Sequence, residues 1–237
     1  MAYKFFYFFI LFLLTQISVL MAQGDLSQVR NSQIIKGTRH FPYPSYSGTP
    51  YLNDKFVPGE IEFSDGTKVD ISALRYSSYR DELIYYNSAI SAQIIIDKIT
   101  LKGFSFTDNN GVKRVFRQQY YDGFLNGNRY FEVLCDGNIS LLVYRKVVLQ
   151  NCSVYADASG VQKNMSYQEA YNYYIYSSEK GYELIRIGKN SLLSKFDMPA
   201  QKSIKKLLRK NKVVISNETG FVKAWNLLEG SGFLIQF

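Results

Sequence analysis

From Glu60 to Gly188 apolar and polar residues alternate in short stretches, the period of two that a half-buried β-strand requires. Ile61, Phe63, Val69 and Ile71 alternate around Asp65-Gly66, the pattern of a hairpin. Leu74 to Asn87 predicts another short pair. Ile94 to Phe106 reads as a strand that starts continuously apolar and then alternates at Ile99, Leu101 and Phe104 or Phe106. Turn sequences at Asn109-Asn110-Gly111, Asp122-Gly123, Asn126-Gly127 and Asp136-Gly137 separate further strands over Val112–Tyr121, Arg129–Cys135 and Ile139–Gln150. Asn172–Ile187 ends the run as a Tyr-rich hairpin turning near Glu179 to Gly181. About eight to ten short strands at this spacing predict a mainly β fold, an antiparallel meander closed as a barrel or stacked as a sandwich.

The period lengthens after Lys189. Ser191 to Phe196 reads as one helical turn. Asp197 is placed to cap a helix with Pro199 in its first turn, and Ala200, Ile204, Leu207 and Leu208 make one apolar face. Asn211 suits the end of that helix, Val213 to Ile215 an extended link. Asn217 suits the cap of a last helix carrying Phe221, Val222, Trp225, Leu227 and Leu228. The tail is expected as a small helical appendage packed on the β body.

At the other end, Lys4 precedes an unbroken apolar run from Phe5 to Leu14, and a mixed segment ends in Ala22 before Gln23 and Gly24. That order is the pattern of a secretory signal peptide cleaved after Ala22. A retained anchor is the alternative. Thr15, Gln16 and Ser18 interrupt the apolar stretch, where a spanning helix wants about 20 predominantly apolar residues. No Cys follows the run to accept a lipoprotein anchor, and no later apolar run is long enough to span a bilayer as a helix. The expected organisation is therefore a signal peptide over 1–22, an irregular Pro- and aromatic-rich lead-in over 23–59, a β-rich domain over 60–188 and the helical appendage over 189–237. The expected location is the periplasm or cell envelope, or outside the cell.

Composition supports a folded sheet protein, with 20 Tyr and 17 Phe against one Trp. The formal net charge of +8 matters mainly because it is locally concentrated. Lys202, Lys205, Lys206, Arg209, Lys210 and Lys212 follow one another with no acidic residue between Asp197 and Glu218. They read either as a solvated helix face or as a site for an anionic partner: lipid, lipopolysaccharide, an acidic glycan or another envelope protein. Export and the lack of a recognition motif leave nucleic acid out. A second candidate is the tyrosine group Tyr167, Tyr171, Tyr173, Tyr174, Tyr176 and Tyr182. Strand alternation puts Tyr174 and Tyr176 on one face, the candidate aromatic platform, and Tyr171 and Tyr173 on the other.

Catalytic patterns are missing from the sequence. His40 is the single histidine, in the lead-in, where a surface position is expected. Carboxylates available for pairing are Asp81, Glu82, Asp97, Asp122, Glu132 and Asp136. Asn-x-Ser/Thr sequons begin at Asn138, Asn151, Asn164 and Asn217 and matter only in a eukaryotic secretory route. A two-residue turn at Asp136-Gly137 would set Cys135 opposite Asn138 and Cys152 opposite Tyr121. That register favours two separate thiols, and only a bent strand or another register would allow a bridge. No cofactor or metal is expected. The reading is a non-enzymatic binding or structural module, the alternatives being a carrier of lipid or small ligands inside a barrel and, third, a carboxylate hydrolase.

Gly48 to Val69 (GTPYLNDKFVPGEIEFSDGTKV), Tyr130 to Lys146 (YFEVLCDGNISLLVYRK) and Lys189 to Val213 (KNSLLSKFDMPAQKSIKKLLRKNKV) resemble a group of exported proteins of Bacteroidota-type Gram-negative bacteria. The resemblance extends from about Gly48 to about Leu228. It implies an N-terminal signal, a β-rich body and a Lys-rich helical tail; it implies no activity and carries over no site residue. The ending GSGFLIQF is more apolar than the group's pattern.

Overall fold

The computed structural model describes residues 35–123, 127–157, 160–233 and 235. The expected signal peptide, its cleavage after Ala22 and Asn126 of one expected turn lie outside them. The chain is mainly β, with a helical C-terminal tail. The strands are β1 (Gly37–Arg39), β2 (Val57–Phe63), β3 (Lys68–Ser77), β4 (Glu82–Asn87), β5 (Ala92–Ile96), β6 (Leu101–Thr107) and β7 (Lys113–Tyr121). They continue as β8 (Gly127–Cys135), β9 (Ser140–Tyr144), β10 (Val147–Asp157), β11 (Gly160–Glu169), β12 (Asn172–Ser177) and β13 (Gly181–Ile185). The helices are α1 (Lys189–Leu193), α2 (Met198–Lys210) and α3 (Glu218–Gly230).

Turn chemistry sets much of this order. Asp65 Oδ1 accepts the Thr67 N–H, and Gly66 takes φ +85°, so β2 and β3 pair with Ile61 opposite Val69. Asp97 breaks the expected Ile94–Phe106 strand: its carboxylate accepts the Ile99 N–H and starts a 3-10 turn over Lys98–Thr100. The Asp136-Gly137 hairpin is wider than two residues. Arg117 and Ser140 hold the Asp136 carboxylate, and Cys135 pairs with Leu141 and not with Asn138.

An 11-stranded antiparallel sheet runs β1-β5-β4-β3-β2-β6-β7-β8-β9-β12-β13, and β10 and β11 form a separate hairpin. β5 and β6 are joined by Asp97 to Thr100 alone, although β4, β3 and β2 lie between them. Four spacings of about 4.8 Å would separate them by about 19 Å in a flat sheet. A 3-10 turn, rising about 2.0 Å per residue, cannot span that, so the sheet must curl into a trough. It does not close into a barrel, because β1 and β13 are both free edges.

The trough is filled by side chains. Phe104 and Phe116 stack at 4.5 Å, Phe106 and Phe116 at 5.8 Å, and Tyr76 and Tyr130 pack on Phe104 with Ile61, Leu74 and Leu83 around them. Further along the sheet, Leu141, Ile175 and Ile185 meet Leu192, Ile204, Leu208, Phe221, Trp225 and Leu228 of the helices. Helices thus supply the second layer that another sheet would give a sandwich. The caps are those the sequence predicts: Asp197 accepts the Ala200 N–H at 2.9 Å, and Asn217 the Gly220 N–H at 2.9 Å.

The expected Ile139–Gln150 strand divides in two. Lys146 N–H turns back to the Tyr144 carbonyl, and β10 leaves the main sheet to pair with β11, which the sequence reading missed. Cys152 therefore lies at the register shift of that hairpin, between Asn151 opposite Met165 and Ser153 opposite Asn164, and not beside Tyr121. Both thiols are free, Cys135 buried and Cys152 exposed. Burial, and secondarily Glu229, pushes the Cys135 thiol up to about 12. At pH 8 a disulfide-exchange reagent should titrate Cys152 at once and Cys135 only in denaturant; a chain with no titratable thiol in denaturant would contradict this.

The described part of the lead-in wraps the body. Tyr167 N–H donates to the Ser47 carbonyl, Tyr43 O–H donates to Glu82, and Arg75 stacks on Tyr51 at 3.8 Å. His40 is correspondingly buried, against the surface expectation, with its ring 5.0 Å from that of Tyr43. Desolvation, then the Arg75 charge, lowers its pKa and so favours the neutral ring.

Candidate functional site

Helix α2 buries Ile204 and Leu208 and turns its opposite side to solvent. At about 100° per residue, Lys202, Lys205, Lys206, Arg209 and Lys210 fall within an arc of about 140° centred away from the buried stripe. All are exposed, and none takes part in the ion pairs formed by the described residues. Lys212 extends the face beyond the helix end. It adopts φ +52° while the Val213 N–H closes on the Leu208 carbonyl, a left-handed cap that more often carries glycine. Two exposed apolar residues flank the cations, Met198 at 72 % and Val214 at 73 %. The structure thus joins every basic residue singled out in the sequence into one surface.

The tyrosine platform fares differently. Alternation holds: Tyr173 and Ile175 pack towards the helices, Tyr174 and Tyr176 on the other side. Yet Tyr174 is buried on Phe131, Leu142 and Tyr144, and its hydroxyl is bonded to that of Tyr121. Tyr176 is half-buried with its ring 4.7 Å from Tyr182, whose O–H donates to Gln119. These rings are spent on one another, so the pair is a satellite core and not an open platform. Tyr167 anchors the lead-in, and Tyr171 lies against the Arg145 guanidinium.

Carboxylates separate into two buried sets. In the first, Glu132 is gripped by Arg114 at 2.9 Å and by Arg145, which also makes a two-pronged contact to Glu218 at 2.7 and 2.8 Å. Arg114 continues the chain to Asp108 at 2.9 Å. Burial alone would raise Glu218, but the Arg145 hydrogen bond and charge outweigh it and hold its pKa below the ordinary value.

The second set centres on Asp81, in the turn between β3 and β4. Its Oδ1 accepts the Tyr76 hydroxyl at 2.7 Å and the Tyr130 N–H at 3.3 Å, and its Oδ2 accepts Lys98 Nζ at 2.7 Å. β9 pairs with β8 only from Glu132 onward, so Asp81 caps a stretch of β8 that has lost that neighbour. Burial is the largest influence on the Asp81 carboxyl and raises its pKa against the pull of Lys98 and both donors. Asp97 lines the same cavity, of about 570 Å³, with Lys36, Arg80, Lys98 and Tyr130. The sequence offers Asp81 and Asp97 only as two of six carboxylates available for pairing; the structure sets Asp81 at φ +58° in its turn. Glu82 is drawn off to Tyr43, Asp136 to surface Arg117, and Asp122 stands on the exposed link after β7.

Among the described residues no His, Cys, Asp and Glu group could hold a metal, and no helix is long and apolar enough to cross a membrane. Comparison with known proteins found no matching family model, no similar curated protein and no similar solved structure.

Proposed function

We propose that this chain is an exported, non-enzymatic module of a Gram-negative cell envelope that holds an anionic lipid surface through the basic face of α2. The observation that carries the reading is the continuous, exposed row Lys202, Lys205, Lys206, Arg209, Lys210 and Lys212, which makes none of the ion pairs among the described residues. A merely solvated helix face gains from interspersed acids, which form stabilising i,i+4 pairs; this face has none. Exposed Met198 and Val214 at its two ends supply apolar contacts that headgroup-level docking uses. The packed trough and the helical layer seated on the sheet make the β body a mount for that face.

The test is binding to phosphatidylglycerol vesicles, with phosphatidylcholine vesicles as control. Each Lys or Arg near an anionic surface contributes about 1 kcal/mol, so the triple variant K205Q/K206Q/R209Q should bind roughly a hundredfold more weakly. Binding by the unaltered protein should also fall steeply with salt. Neutralising Lys68 and Lys102, which pair with Glu60 and Glu62 on the sheet, should change little. Equal binding by the triple variant, or equal binding to both vesicle types, would reject the reading.

A further inference from the structure

The lead-in leaves the main sheet at His40 and returns to it at Tyr51. The first end is fixed to β5, where the His40 N–H donates to the Gln93 carbonyl at 2.8 Å. The second is fixed to β3: Tyr51 bridges Ser77, and the Leu52 N–H donates to the Tyr76 carbonyl at 3.0 Å. Between these ends the loop holds β11. Ser47 makes a parallel bridge to Ser166, and its carbonyl accepts the Tyr167 N–H at 2.8 Å and the Ser166 hydroxyl at 3.3 Å. The Pro44 carbonyl accepts the Tyr167 O–H at 3.1 Å. β10 and β11 form a sheet of two strands, which is marginal by itself, so the loop helps to seat the hairpin on the body.

The two ends of this loop meet at His40. Its Nε2 lies 3.2 Å from Tyr51 Oη, and its ring packs edge-on with those of Tyr43 and Tyr51, at 5.0 and 6.4 Å. The residue is 5 % exposed. From β3, the Arg75 guanidinium lies 3.8 Å from the centre of the Tyr51 ring, and its charge opposes a second cation here. From β4, the facing carboxylate is Glu82, already engaged by the Tyr43 O–H at 3.0 Å. β5 presents neutral Gln93, whose side-chain oxygen accepts from Arg75 at 3.0 Å. Tyr79 packs on Tyr43 from the turn after β3, and neighbouring Arg39 lies over the Phe41 ring. His40 makes none of the ion pairs among the described residues. A proton on the ring therefore meets burial, a guanidinium and a carboxylate that is already engaged, and the charged imidazole gains by moving into water.

We infer that His40 is an acid-sensitive clasp: its protonation opens the loop from His40 to Tyr51 and releases the β10–β11 hairpin from the body. The device is separate from the α2 face and does not depend on it. The sign follows from the burial of the neutral ring. Burial, then Arg75, places the folded value below the ordinary 6.5, so the clasp is at full strength above 6.5 and is lost as pH falls through the folded value. Asp81 acts in the opposite direction on acidification, and the Glu218 contribution is lost only below its ordinary value of 4.5.

The test is amide exchange of the whole chain, corrected for the intrinsic rate, above and below the midpoint of His40, the single histidine, followed by NMR. Protection of the Leu52 and Tyr167 amides should fall about tenfold or more through that midpoint, while the amides of α2 and α3 stay protected. His40→Phe keeps a ring in place and takes no proton, so its Leu52 and Tyr167 amides should be equally protected at both pH values. A His40 midpoint outside the interval from 4.5 to 6.5, unchanged Leu52 and Tyr167 protection with His40 protonated, or an equal fall in His40→Phe would each overturn the inference. So would simultaneous loss of protection in α2 and α3, which would mark unfolding of the whole chain. The readings on the unaltered protein decide the matter whether or not His40→Phe folds.

Discussion

Replacing Asp81 by Ala should lower the unfolding free energy by about 3–5 kcal/mol, the range for breaking a buried charge pair from one side. Three groups lose their partner together: the fully buried Tyr76 hydroxyl, the Tyr130 N–H at the bare edge of β8, and Lys98. Alanine must also adopt φ +58°, a left-handed conformation that Asp and Asn tolerate better. Asp81→Asn is the informative companion. Its amide oxygen can still accept from Tyr76 and Tyr130, so only the Lys98 ion pair goes, and Lys98 is a quarter exposed and free to turn outward. Its cost should be about 1–2 kcal/mol. Urea unfolding at pH 7 measures both, and equal losses in the two variants would mean that the charge, not the acceptor geometry, holds the turn.

The pH dependence has an uncommon sign. Burial places the folded Asp81 pKa above its unfolded value, so the folded state holds the proton more tightly. Between those two values stability gained through Asp81 rises as pH falls, by linkage. Asp81→Asn cannot titrate there, so the gap between it and the unaltered protein should widen on acidification.

Strands, caps and the basic face were legible because each rests on local chemistry. Asp65-Gly66 makes its turn from two residues, Asp197 and Asn217 cap from one, and the α2 cations follow a single helical period. What was not legible depends on partners far along the chain. His40 is buried because Tyr43 and Tyr51 fold over it, and Tyr174 because Tyr121 and Phe131 do. Asp81 gains its meaning from Tyr130, whose N–H is left bare only because β9 stops at Tyr144. Of the expected barrel or sandwich, the barrel does not close for a related reason. Alternation fixes which face of each strand is buried but not whether the outer strands meet, and the short Asp97–Thr100 link curls the sheet without joining β1 to β13.

The same distant pairing makes Arg145 the other residue whose loss should be felt most. It is 4 % exposed, at the point where β9 ends, and among the described residues it is the cation that ties Glu132 of β8 to Glu218 at the start of α3. Arg145→Ala should cost about 3–5 kcal/mol, because it leaves Glu218 partly buried without its counterion and gives Glu132 only Arg114. Arg145→Lys should recover only part, since a compact ammonium cannot reproduce the Nε contact to Glu132 together with the two-pronged contact to Glu218. Trp225, the single tryptophan, is fully buried on α3 and reports whether that helix stays seated. Its emission should shift to the red in Arg145→Ala at denaturant concentrations where the unaltered protein is still folded. Acid supplies an independent check with the opposite sign to Asp81. Arg145 holds the folded Glu218 pKa below its unfolded value, so this contribution is complete above the unfolded value and is lost as pH falls through the folded one. Trp225 should therefore report loosening of α3 on acidification, and Glu218→Gln should remove that part of the pH dependence. If Arg145→Ala leaves the urea midpoint and the Trp225 signal unmoved, the buried chain from Asp108 to Glu218 does not hold the helical layer to the sheet.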